Sequence, residues 1–124
     1  MQFTGVTARI VEHIWNEYGA APDFPWEDSE NAVFRHGDSR KWFAIIMCGL
    51  SGKALGREET ERADVMNLKC DPRMIGALLD GEYFFSAYHM NKEHWLSVRL
   101  AEGVPLEEVF SLIAVSYDLT AKRK

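Results

Sequence analysis

His89 and His94 are the side chains whose type and spacing come nearest to chemistry. If Asn91-Lys92 forms a two-residue hairpin turn, His89 stands opposite His94, with Cβ atoms about 5 Å apart. Two imidazoles so placed could share a metal. Two ligands do not complete a zinc site, however, and the nearby acid, Glu93, falls on the other pleat. His13 and His36 are remote in sequence and join only by accident of folding. The plainer reading is structural polar residues at a hairpin end, with no metal.

Other constellations are weaker. Gly49-Leu50-Ser51-Gly52-Lys53-Ala54 suggests a phosphate loop, but Met47 and Ala54 stand where that pattern needs Gly and Ser or Thr. Cys48 and Cys70 form no C-x-x-C pair and lie in apolar, strand-like runs, where burial raises a thiol pKa and suppresses thiolate. Asp23, Glu27, Asp28 and Glu30 fall in a stretch broken by Pro22 and Pro25. They read as a solvated loop, since raising a carboxylate pKa requires burial. No G-x-S-x-G elbow occurs. The chain therefore reads as non-enzymatic, with no catalytic residue and no cofactor.

Basic residues give a different lead. Arg40 and Lys41 lie at one expected hairpin and Lys92 at a second, with Arg35 and Arg99 on their flanks. Hairpin tips can enter a DNA groove while Lys and Arg contact phosphates. Against this stands a net charge of -5, from 14 basic and 19 acidic residues. Exposed hairpins also carry Lys and Arg simply to stay soluble and guard edge strands.

The elements that would position these groups follow from periodicity. Ile10, Val11, Ile14, Trp15 and Tyr18 make one apolar face of a helix over 7–18, which Gly19 ends. Residues 20–30 form a linker anchored by Phe24 and Trp26. Ala32–His36 and Trp42–Cys48 read as a hairpin around Gly37-Asp38-Ser39-Arg40, and 49–63 as a long exposed loop. A third strand spans Val65–Cys70. Asp71 caps a helix that begins at Pro72 and stops at Gly81. Phe85–Met90 and His94–Leu100 form the second hairpin. A last helix starts at Pro105, with Leu106, Val109, Phe110, Ile113 and Tyr117 as its stripe and Lys122, Arg123 and Lys124 at its end. The expectation is an α+β domain of order α-β(3)-α-β(2)-α, its antiparallel sheet carrying helices on one face.

At 124 residues and 47% apolar composition, one core without disulfides suffices, so residues 1–124 are expected to be one domain. The first residues lack a signal-peptide pattern, and no apolar run approaches the ~20 residues of a membrane span. Cytoplasm is the expected compartment, and no membrane contact is expected.

Tyr88-His89-Met90-Asn91-Lys92-Glu93-His94-Trp95 resembles the H-x-N-K-x-H-W signature of the MmcQ/YjbR family of small bacterial proteins. Pro22-Asp23-Phe24-Pro25-Trp26, Leu68-Lys69-Cys70-Asp71-Pro72 and Ser116-Tyr117 also fit, so the resemblance spans nearly the whole chain. It implies a two-layer fold similar to type III secretion chaperones and loosely to frataxin. It also implies double-stranded DNA binding through a "double wing" of two hairpins. The motif positions carried over are His89, Asn91, Lys92, His94 and Trp95. DNA contacted by Arg40, Lys41, Lys92 and Arg99 is thus the first functional expectation. A protein-interaction adaptor using Trp26, Trp42 or Trp95 is the second, and a small-ligand or metal pocket near His89 and His94 the third.

Overall fold

A computed structural model describes residues 3–58 and 61–121. Helix α1 spans Gly5–Tyr18 and ends at Gly19, whose φ of 64° is the left-handed geometry that closes a helix without a Cβ penalty. Strands β1 (Ala32–Arg35), β2 (Trp42–Ser51) and β3 (Arg62–Lys69) follow, with a short 3-10 helix, Gly52–Leu55, between the last two. Helix α2 (Pro72–Leu78), β4 (Phe84–Ser86), β5 (Trp95–Leu100) and α3 (Leu106–Thr120) complete the order. All neighbouring strands run antiparallel, in the order β1-β2-β3-β5-β4. This is the expected α+β architecture.

Alternation of side chains divides the sheet into two faces. Phe34, Ala44, Ile46, Met66, Leu68, Leu96 and Val98 share a fully buried core with Ile10 and Ile14 of α1 and Val109 and Ile113 of α3. Burying each larger apolar side chain there contributes roughly 1.5–3 kcal/mol before conformational entropy is charged against it. Polar ties fix α3 to one end of the sheet. The Ser116 hydroxyl donates to the Phe43 carbonyl at 2.5 Å and accepts the Lys69 N–H at 2.9 Å. His36 Nε2 lies 2.8 Å from Thr120 Oγ1, both buried. Val33, Ile45, Met47 and Val65 form a second, smaller cluster on the opposite face, with Trp42, Tyr88, Met90 and Trp95 against it.

A bulge in the β1–β2 pairing decides where Trp42 points. Phe34 pairs with Ala44, but Arg35 pairs with Trp42, so one residue of β2 is extra. Strict alternation would put Trp42 with Ala44 and Ile46, facing the helices. The inserted residue turns both Phe43 and Ala44 toward the helices and sends Trp42 to the open face, the re-aiming that bulges perform.

Several expected boundaries move. Helix α1 begins two residues early, at Gly5. The stretch 49–63 is less of a loop than expected, because β2 runs on to Ser51 and the 3-10 helix follows. Helix α2 stops at Leu78, short of Gly81, whose φ of 72° serves the next turn instead. The larger correction concerns the second hairpin. Strand β4 ends at Ser86 rather than Met90, and residues 87–94 form a wound loop in place of a two-residue turn at Asn91-Lys92. Lys122, Arg123 and Lys124 lie outside the described residues.

Candidate functional site

The open face of the sheet carries a cavity of about 470 Å3. Ile45 and Met47 of β2 and Asn67 of β3 form its floor, Trp42 stands at one side, and residues of the 26–31 segment and Tyr88, His89 and Met90 close it. Trp26 is 41% exposed, so the cavity opens to solvent.

Backbone pairing holds the first wall. Asp23 exchanges both its N–H and C=O with Val33, at 2.9 and 2.8 Å, which lays the segment along the outer edge of β1. The Asp23 carboxylate accepts from Arg35 Nε at 2.8 Å, and the Arg35 guanidinium lies 5.7 Å from the centre of the Trp42 ring. Trp26 meets Trp42 edge to face at 5.6 Å between centroids, a favourable aromatic geometry. Further along, the Asn31 side-chain oxygen accepts the Cys48 N–H at 3.0 Å. Cys48 itself has its thiol pushed up to about 11, first by burial and then by the charges of Asp64 and Glu30. A thiol so placed is mostly protonated at neutral pH, which suppresses nucleophilic attack.

The second wall, Tyr88, His89 and Met90, belongs to the loop that the signature residues shape. Asn91 accepts the N–H groups of His94 and Trp95 on its carbonyl and that of Glu93 on its side-chain oxygen, at 3.2, 2.9 and 2.8 Å. Lys92 folds back so that its ammonium donates to the Ala87 carbonyl. The His94 carbonyl accepts the Cys70 N–H at 2.8 Å, and Trp95 packs on the open-face cluster. His89 takes a left-handed φ of 60°, strained for a residue with a Cβ, with its ring 3.9 Å from that of Tyr88. His89 lines the cavity and His94 does not. The opposed imidazole pair required a two-residue turn, which the chain does not form.

Two residues that spacing did not single out fasten this loop to the sheet. Asn67 Nδ2 donates to the Tyr88 carbonyl at 2.8 Å, and Ser97 Oγ donates to Asn67 Oδ1 at 2.5 Å while accepting the Tyr88 N–H at 2.8 Å. Both are buried, and they pair directly across β3 and β5. Their signal was present in the sequence as polar residues inside the apolar runs of two strands.

Arg40, Lys41 and Lys92 lie at one end of the sheet and Arg99 toward the other. Arg40 and Lys41 are exposed at the β1–β2 turn. The Lys92 ammonium is engaged at Ala87. Arg99 lies near the far end of β5, its Nε donating to the Glu82 carbonyl at 2.7 Å and its guanidinium 5.2 Å from the Tyr83 ring centre. Among the described residues, no group of three or more His, Cys, Asp or Glu could hold a metal, and no helix is long and apolar enough to cross a membrane. His36 is bonded to Thr120, and His13 stacks on Phe110 at 3.8 Å.

Fold and site together define a small α+β domain whose sheet gives one face to helices and the other to an aromatic-walled pocket. The YjbR family model matches residues 16–119, and the chain belongs to that family. It is 41% identical to the uncharacterized protein YyaQ of Bacillus subtilis (strain 168), over 90% of this chain and 94% of that one. A crystal structure of a Pseudomonas syringae protein superposes with a TM-score of 0.85 at 38% identity, covering 91% of this chain and 97% of the other. A Deinococcus radiodurans protein with a DUF419 domain shares the fold, with a TM-score of 0.70 at 24% identity, covering 94% of this chain and 79% of that one.

Proposed function

We propose that the chain is a non-enzymatic binding domain whose binding surface is the pocket on the open face of the sheet. One observation carries this reading: the cavity of about 470 Å3 falls within the size range of small-molecule sites and is walled by aromatic and apolar side chains. The sequence offered such a pocket last, because His89 and His94 were its only signal. What promotes it is the joining of Trp26, Trp42 and Tyr88, from three separate segments, around one space. Titration with indole, followed by NMR, tests it. Millimolar indole is expected to shift the Trp26 and Trp42 side-chain N–H signals and the backbone amides of 88–90. Shifts elsewhere, or none, overturn the reading.

Double-stranded DNA is a second reading, favoured by a specific observation. The pairings Ala44 with Leu68 and Lys69 with Trp95 bring the β1–β2 turn and the 87–94 loop to the same end of the sheet. Two such projections side by side, with Arg40 and Lys41 exposed on one, suit a duplex backbone. A protein adaptor would use the same aromatic surface as the pocket, through Trp26 and Trp42.

A further inference from the structure

The pocket's chemistry narrows what it can hold. Part of its polar lining is already occupied from within. Both ends of the Asn67 amide are bonded, the Asn31 side-chain oxygen serves Cys48, and the Ser29 hydroxyl oxygen accepts the Asn31 N–H at 3.0 Å. Among the described residues, no buried side-chain nitrogen or oxygen lacks a partner. The amide and hydroxyl oxygens of Asn67, Asn31 and Ser29 are therefore already engaged as acceptors. What remains is aromatic surface from Trp26, Trp42 and Tyr88, the His89 ring, the apolar side chains of Ile45, Met47 and Met90, and one carboxylate, that of Asp28.

The charge at the mouth has one sign. Glu27 and Glu30, exposed beside Asp28 in the chain, add to it, while Asp23 is neutralised by Arg35. Among the described residues, no Lys or Arg lines the cavity. Aromatic faces attract cations through the ring quadrupole, and Trp42 already carries the Arg35 guanidinium near its ring. A primary ammonium carries three N–H donors and would find one charged acceptor in this lining, the Asp28 carboxylate. A fully alkylated ammonium needs none, since it is apolar in contact and positive in field.

We propose that the pocket binds ligands bearing a quaternary ammonium group, held by Trp26, Trp42 and Tyr88 and by the carboxylate of Asp28. The proposal rests on the reading of this pocket as the binding site. Choline and its neutral isostere 3,3-dimethylbutan-1-ol, which differ in charge but hardly in shape, are the probes. Both are titrated at matched ionic strength, with the Trp42 side-chain N–H and the 88–90 amides as reporters.

Choline is expected to bind about 3-fold to 30-fold more tightly than the alcohol, the span of measured cation–π contributions. Asp28→Asn is expected to weaken choline by about 2- to 5-fold and leave the alcohol unchanged. Trp26→Leu, at an exposed position that spares the core, should also weaken choline more than the alcohol. Equal binding of the two probes, or equal losses in both variants, overturns the quaternary ammonium. If indole shifts the same reporters while neither probe does, that assignment fails and the pocket stands. If indole fails as well, the pocket reading itself falls.

Discussion

Asn67 fastens the pocket because its amide faces two partners at once inside a strand that is otherwise apolar. Replacing it with Ala leaves the Tyr88 carbonyl without its donor and the Ser97 hydroxyl without its acceptor. Each buried group left unmade costs roughly 1–3 kcal/mol. Asn67→Ala is therefore expected to lower unfolding free energy by about 1–3 kcal/mol in urea titration, since water can enter at the cavity side. A change below about 0.5 kcal/mol would show that the loop is held some other way. Cys48 supplies a second check at this scale. Its thiol stands near 11 against an ordinary 9.0, so thiolate at pH 8 is about 100-fold scarcer than in the unfolded chain. Iodoacetamide should modify native Cys48 about 100-fold more slowly than Cys48 in urea at that pH. Equal rates would mean that burial is not protecting the thiol. The apolar setting of Cys48 was legible from its neighbours. The contributions of Asp64 and Glu30 were not, because they come from other segments.

The turn between α2 and β4 is organised by Asp80. One carboxylate oxygen accepts the N–H groups of Glu82, Tyr83 and Phe84, each at 2.9 Å. Burial, the largest single influence on this carboxyl, pushes its pKa up. The Phe84, Glu82 and Tyr83 N–H groups together outweigh that and hold it below its ordinary value. A carboxylate with a lower pKa folded than unfolded adds stability that is fully present above the unfolded value, near pH 4. That stability drains as pH falls through the folded value. Asp80→Asn should thus cost about 1 kcal/mol at pH 7 and lose less stability than the parent between about pH 5 and pH 3, by thermal melts across that range. Parallel curves would remove Asp80 from the acid response. Element types were legible here, because periods of 2 and 3.6 are written in the apolar residues. The β1–β2 bulge and the 87–94 loop were not. The bulge depends on a mismatch between two strands, and the loop on bonds from Asn67, Ser97 and Cys70, distant along the chain.

For the whole molecule, the question is whether enough positive charge gathers to hold a polyanion. The two projections leave the same end of the sheet about 14 Å apart, taking about 4.8 Å per strand spacing. Of the four basic residues first assigned to DNA, Arg40, Lys41 and Lys92 stand exposed there, and with the Lys92 ammonium donating to Ala87 two are left for phosphates, on a chain of net charge -5. Two phosphate contacts would give a slope of about -2 in log affinity against log salt. If duplex DNA is a partner, fluorescence anisotropy should detect binding at about 50 mM salt with that slope, abolished by Arg40→Ala with Lys41→Ala. Absence of binding, or binding indifferent to salt, removes DNA. The chain by itself determined the order of elements, the buried stripes of α1 and α3, the unreactive setting of Cys48 and the family signature, since these rest on local periodicity and on residue type. Tertiary structure alone decided that the signature builds a loop, that a bulge turns Trp42 outward, and that Trp26 and Tyr88 meet it over Asn67. Those facts depend on which distant segments share a sheet face, and spacing along one chain does not encode that.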